Sequence, residues 1–181
     1  MKKKYRCFAL FSGGLDSILS VIFMKKLGYD VLPIFLKTPF FGPENALKAA
    51  ENIGVELIVH DISKQHLEML RNPRYGFGKN MNPCIDCHGL MFREASVLME
   101  EYNVDFLISG EVLGQRPMSQ RIDALNSVRK LSGVKDIIVR PLCQKLLKDT
   151  LPIREGWVKK EDMLDIQGRG RQRQIEMAEE F

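Results

Sequence analysis

No apolar stretch of this 181-residue chain reaches the roughly 20 residues that a membrane-crossing helix needs. The run around Ile18 to Met24, for instance, stops at Lys25 and Lys26. A membrane partner is therefore not expected. After Lys2, Lys3 and Lys4 the apolar run is only Cys7 to Phe11, closed by Gly13-Gly14, which is too short for an export signal, so a cytoplasmic location is expected. With 8 Pro and 14 Gly the chain is no low-complexity polymer, and no internal repeat interrupts it. Neither sign of charge dominates: 27 Lys+Arg against 23 Asp+Glu give +4, which permits a nucleic-acid partner without requiring one. Cysteine is scarce too. Four in a chain of this size make no disulfide framework, and because two stand as Cys84-x-x-Cys87, metal, redox or catalytic roles come first.

What is present fits one packed domain with an appendage, at 45% hydrophobic and 28% charged residues. Tyr5 to Phe11 reads as a strand, Ser12 to Gly14 as a glycine loop, and Asp16 to Leu27 as a helix with Ile18, Leu19, Ile22 and Phe23 at helical spacing, capped by Gly28. Asp30 to Lys37 is a continuous apolar run of the kind found in a strand buried on both faces. Pro43 to Asn52 reads as a helix, Val55 to His60 as a third strand, and Val104 to Ser109 as a fourth. Between these last two lie an aperiodic loop from about Arg71 to Pro83 and a helix from about Cys87 to Tyr102. Beyond Gly110 the pattern gives a helix from about Met118 to Leu131, a short strand at Ile137 to Arg140, and an amphipathic helix over Gln172 to Phe181. Alternating strands and helices predict an α/β fold, a three-layer, doubly wound parallel sheet. Residues 1–150 are expected to form its nucleotide domain and 151–181 a C-terminal extension, cut short at Phe181.

The hexapeptide Ser12-Gly13-Gly14-Leu15-Asp16-Ser17 falls between the first strand and first helix, where backbone N–H groups and the helix N-terminus favour an anion. It is not a Walker A loop, since no Gly-Lys-Ser/Thr closes it, and it lacks the Gly-x-Gly-x-x-Gly dinucleotide spacing. A simple glycine turn with an aspartate cap is the structural alternative. The string resembles the PP-loop of the ATP pyrophosphatase superfamily, with its adenine nucleotide α-hydrolase-like fold. That resemblance implies cleavage of ATP between the α and β phosphates and transfer of AMP to a substrate oxygen. It implies that Ser12, Gly13, Gly14, Leu15 and Ser17 hold the pyrophosphate portion, that Asp16 helps to place Mg²⁺, and that Phe35 lies near adenine. Core packing is the alternative for Phe35.

The second signature is Asn82-Pro83-Cys84-Ile85-Asp86-Cys87-His88, just ahead of the helix feeding strand four. A crossover helix runs antiparallel to its strands, so its N-terminus lies at the carboxyl edge of the sheet, where the glycine loop and Gly110 also emerge. A helix N-terminus stabilises thiolate, so a lowered pKa is expected at Cys84 or Cys87. A zinc knuckle of Cys84, Cys87 and His88 or His66 is the structural alternative, although the second Cys-x-x-Cys that would favour it is absent.

Within the PP-loop group, this segment resembles the tRNA 2-thiouridylases and 4-thiouridine synthetases. The 2-thiouridylases usually have Asp where this chain has Cys84, so a second thiol is added. With Cys143 downstream, the three cysteines resemble the set that holds a [4Fe-4S] cluster in some tRNA thiolases. The other possibility is a persulfide on Cys87 that Cys84 or Cys143 resolves. Cys7, inside strand one, reads as a buried structural thiol.

Gly110-Glu111-Val112-Leu113-Gly114-Gln115-Arg116-Pro117-Met118-Ser119-Gln120-Arg121 resembles a segment of a branch of thiouridylase-like proteins. Here Gly110 would allow close approach to AMP, with Gln115, Arg116, Ser119 and Arg121 as donors. Arg169, Arg171 and Arg173 form a basic cluster suited to tRNA phosphates or simply to solvent. The resemblance as a whole implies an ATP-dependent tRNA sulfurtransferase that works with tRNA, a sulfur donor such as a cysteine desulfurase, and a homodimer mate. Its rivals are an amidating or small-molecule PP-loop ligase with structural zinc and a non-catalytic adenine-nucleotide-binding module.

Overall fold

The computed structural model describes residues 3–78, 83–116, 119–134 and 136–181. Lys2, Asn82, Pro117 and Met118, named above, lie outside these described residues. In chain order the elements are β1 (Arg6–Leu10), α1 (Leu15–Lys26), β2 (Asp30–Lys37), α2 (Glu44–Asn52), β3 (Ile58–Asp61), α3 (Ser63–Arg71), α4 (Cys84–Val97), β4 (Phe106–Ser109), α5 (Ile122–Ser132), β5 (Ile138–Val139), α6 (Leu151–Arg154) and α7 (Gln172–Glu180). The five strands form one parallel sheet in the order β3-β2-β1-β4-β5.

Period-two alternation divides the strand side chains between two cores. Cys7, Ala9, Val31, Phe106, Ile108 and Val139 face one side, packed against Val21, Met24, Ala46 and Ala50 of α1 and α2. Phe8, Ile34, Leu36, Leu107 and Ile138 face the other, against Leu90, Phe92 and Ala95 of α4 and Val128 of α5. Burial on both faces explains why β2 reads as an unbroken apolar run. Pro33 interrupts β2 without harm. Ile34 turns its carbonyl toward β1, where Phe11 N–H donates to it at 2.9 Å, so the missing N–H of Pro33 faces β3, which pairs only from Ile34 onward.

Several boundaries differ from the expected ones. The helix expected from about Cys87 begins at Cys84, because Pro83 accepts the Cys87 N–H at 2.9 Å and opens the first turn. It ends at Val97, and residues 98–103 tighten into turns that finish with Asn103 at φ 53°. The helix expected from Met118 starts at Ile122. Helix α3 was not anticipated. The pattern between β3 and the aperiodic loop is short and strongly polar, and only tertiary packing, with His66 buried, selects the helix.

Residues 151–181 share the core of the sheet. Val158 and Met163 belong to the α1/α2 side, and Met177 of α7 packs with Leu19, Val112, Leu142 and Ile166.

Candidate functional site

The chain order reverses between β1 and β4, so the crevice beyond their carboxyl ends is where a ligand binds in such sheets. The glycine loop emerges there from β1. Gly13 takes φ 80°, and a side chain on it would stand 2.9 Å from the Asn45 carbonyl oxygen, so the loop passes directly under α2. Gly110, leaving β4, is closer still: a Cβ on it would lie 2.5 Å from the Asp16 carbonyl. The two loops therefore touch through backbone alone.

No side chain caps α1, so its first N–H groups remain open to an anion. Ser17 Oγ donates to the Gly14 carbonyl at 2.8 Å and lies 3.3 Å from Ser12 Oγ, which holds both hydroxyls inside the loop. An open cleft of about 520 Å³ runs from Ser12–Gly14 past Lys48 of α2. These groups suit phosphate. Asp16 has one carboxylate oxygen, Oδ1, buried without a partner, while Oδ2 accepts from Arg171 at 3.3 Å. Burial pushes the Asp16 carboxyl up from its ordinary range, with Arg171, Gln174 and Arg116 pulling the other way. A buried carboxylate oxygen without a donor fits a cation.

Arg171 was not singled out for Asp16, because 155 residues separate them. Its loop is fixed by Gln115, whose amide donates to the Gly168 carbonyl at 3.0 Å and accepts from Arg171 Nε at 3.2 Å. Gln115 thus holds the C-terminal segment over the glycine loop. Arg116 and Arg121 are exposed, Arg121 beside Asp123, whereas Ser119 is buried and faces no solvent. Leu15 packs at the base of α7 with Leu19 and Met177. Phe35 is half-buried and packs into the α1/α2 core.

Helix α4 brings Cys84 and Cys87 to the same edge of the sheet. His88, in the next turn, donates its Nδ1–H at 2.9 Å to the carboxylate of Glu111, which directly follows β4 and Gly110. Glu111 is buried; its second oxygen accepts from Arg140 Nε at 2.8 Å and from Ser109 Oγ at 2.9 Å. Burial alone would push this carboxyl up, but the Arg140 guanidinium and the His88 hydrogen bond overcome it and hold it down at about 2. Cys143, fully buried, donates through Sγ to the Glu111 carbonyl at 3.3 Å.

Two expectations for the thiols are corrected. The helix N-terminus does not lower the Cys87 pKa: burial, with Cys84 and Asp86 nearby, pushes it up to about 11. Burial pushes Cys143 up to about 11 as well. Nor do Cys84, Cys87 and Cys143 converge on a metal, for among the described residues no three His, Cys, Asp or Glu side chains come together as ligands. The three cysteines do not fit a [4Fe-4S] cluster, since Cys143 is turned to the Glu111 carbonyl; Cys87 does face His66, one of the knuckle's ligands, but among the described residues no third ligand is gathered with them for zinc. His66 Nε2 lies 3.7 Å from Cys87 Sγ, and burial pushes its pKa down, which keeps the ring neutral at pH 7. Cys7 is buried in the sheet, its thiol pushed up strongly by burial.

A family profile described as thiamine biosynthesis protein (ThiI) matches residues 3–150. Among curated relatives, a tRNA-specific 2-thiouridylase MnmA of Sulfurimonas denitrificans is 32% identical over 112 residues, covering 56% of this chain and 33% of the relative. A probable tRNA sulfurtransferase of Thermococcus kodakarensis is 29% identical over 144 residues, covering 74% of this chain and 36% of the relative. The chain thus spans about a third of the length of these relatives. A solved structure titled as a predicted subunit of tRNA methyltransferase from Methanocaldococcus jannaschii shares the fold. It has a TM-score of 0.54 at 18% identity and covers 88% of this chain and 92% of its own. With the profile running from ahead of β1 to the start of α6, the chain belongs to the ThiI family.

Proposed function

We propose that this chain is an ATP-dependent tRNA sulfurtransferase. One observation carries the reading: an uncapped glycine loop at the switch point of the sheet touches Gly110, and a helix bearing two thiols starts at the same edge. The α1 N–H groups with Ser12 and Ser17 hold the ATP phosphates, and Asp16 Oδ1 takes the Mg²⁺ that accompanies them. A uridine carbonyl oxygen attacks the α-phosphorus, pyrophosphate leaves, and the base carries AMP on oxygen. Sulfur then arrives as a persulfide on Cys87, passed from a donor persulfide to the Cys87 thiolate, with His66 taking the thiol proton. The terminal sulfur attacks the activated carbon and AMP departs. A second thiolate attacks the Cys87 sulfur, leaving sulfur on the base and a disulfide that an external dithiol reduces. Cys84, half-buried one turn before Cys87, suits that last role better than Cys143, which is fully buried and already donating to Glu111.

The deciding measurement is AMP and pyrophosphate release from ATP by anaerobically purified protein, with and without bulk unmodified tRNA. Stimulation by tRNA is the expected result. ATP binding with no response to tRNA would move the small-molecule ligase or the nucleotide-binding module ahead. Asp16→Ala abolishes AMP formation, whereas Cys87→Ser spares it and stops sulfur incorporation; thiolation at the wild-type rate by the Cys87 variant would remove that residue from the mechanism.

A further inference from the structure

Large aromatic side chains are unusually exposed on two short segments, one reaching His66 through Phe40 and the other tied by its backbone to Asp86. Phe40 and Phe41 are 62% and 61% exposed, and Tyr75 and Phe77 are 43% and 44% exposed, in a chain whose other phenylalanines, apart from Phe181, are buried or half-buried. Both segments are held in place. Thr38 Oγ1 accepts the Phe40 and Phe41 N–H groups at 3.3 and 3.2 Å, and Phe41 returns its carbonyl to the Thr38 N–H at 3.2 Å. The buried Asp86 carboxylate accepts the Arg74 and Tyr75 N–H groups at 2.7 and 3.0 Å. Asp86 immediately precedes Cys87, and the Phe40 ring lies 5.8 Å from the ring of His66, so the two turns flank the thiol. His66 Nδ1 is buried there without a partner.

From this arrangement we propose that Phe40 and Tyr75, with Phe41 and Phe77 beside them, form a stacking site for an unstacked base of single-stranded or looped RNA, delivered next to Cys87. The inference rests on the tRNA reading above and adds where, and in what state, the base is held. Flat aromatic faces suit any base, because every base has a π-face. The segment 71–78 carries Arg71 and Arg74 and no acidic residue, which provides phosphate contacts beside the rings. A duplex presents no free base face, so the site selects extruded or looped nucleotides.

The test is equilibrium binding of two probes, bulk unmodified tRNA and a uridine oligonucleotide, to the full chain. Phe40→Ala and Tyr75→Ala are each expected to weaken both probes by about 5- to 150-fold, the worth of one stacked base. The ring-preserving Phe40→Tyr and Tyr75→Phe are expected to restore binding, and ATP affinity without RNA is expected to stay unchanged. The stacking variants should keep the wild-type salt dependence, whereas Arg74→Ala should flatten the log–log slope by about 0.7. Wild-type RNA affinity in both alanine variants overturns the proposal, and so does wild-type RNA affinity combined with loss of self-association or of persulfide uptake from a donor protein, which would mark a protein-docking face. If the wild-type chain binds neither probe and tRNA does not stimulate AMP release, the sulfurtransferase reading falls instead.

Discussion

The glycine loop takes its chemistry from six consecutive residues, while the thiol edge beside it draws on four separate segments: His66 from α3, Cys84 to His88 from α4, Glu111 after β4, and Arg140 and Cys143 after β5. The first site is made of backbone. It needs a positive φ at Gly13, an uncapped helix and close approach by Gly110, and the few side chains it uses, Ser12, Asp16 and Ser17, lie within the same six residues. The second is made of side chains, several of them charged and buried, and stands only while each has its partner. A backbone site therefore fails by crowding, and a side-chain site by losing one charge.

The largest effect that would sharpen this contrast is at Glu111. Glu111→Gln removes the charge facing buried Arg140, and breaking such a pair costs about 3–5 kcal/mol because the remaining charge is left uncompensated. The pH dependence follows from the same carboxylate. Its pKa is held down at about 2 against an ordinary 4.5, so its contribution is complete above 4.5 and is lost as pH falls toward 2. Urea midpoints of wild type and variant should differ widely at pH 7 and converge toward pH 2. Equal midpoints at pH 7 would show that the network carries no stability.

Crowding is the matching test of the glycine loop. Gly110→Ala places a methyl 2.5 Å from the Asp16 carbonyl, and backbone on both sides leaves nothing flexible to yield. Overpacking of this kind costs about 1–3 kcal/mol. Because the displaced atoms are those of the loop, AMP formation should fall with stability, whereas Gly28→Ala, at φ 92° with open space around it, should lose stability through backbone strain alone. Gly110→Ala with full AMP formation would mean that the contact between the loops plays no part in binding.

This difference also explains what was legible in the sequence. Ser12 to Ser17 could be read whole because consecutive residues specify local backbone, and the doubly wound sheet followed from the alternation of apolar runs. The thiol edge was visible only as residue types. Cys84 and Cys87 stood out by their spacing, but the partners of Cys87 and Glu111 lie 21 and 29 residues away, with no periodicity linking them. Glu111 was the best available clue, an acidic residue one glycine beyond a strand buried along its length. The expected drop in the Cys87 pKa failed for the same reason: a helix N-terminus can be seen in sequence, whereas the burial that outweighs it cannot.

The smallest effect concerns the contact that joins the C-terminal segment to the glycine loop. Arg171 reaches Asp16 Oδ2 at 3.3 Å with much of its side chain in solvent, and exposed pairs of this kind are worth about 0–1 kcal/mol. Arg171→Ala should therefore leave the urea midpoint nearly unchanged, because Met177 and Leu19 still seat α7 on α1. Its effect should appear in the titration instead. Burial already pushes the Asp16 carboxyl up, and Arg171 is the strongest of the groups that oppose it. Without Arg171 the pKa rises further, the ionised form that binds a cation is lost at a higher pH, and the acid limb of AMP formation moves upward while the alkaline side is unaffected. An acid limb that stays in place, with stability also unchanged, would mean that Asp16 is not the group whose ionisation sets the rate.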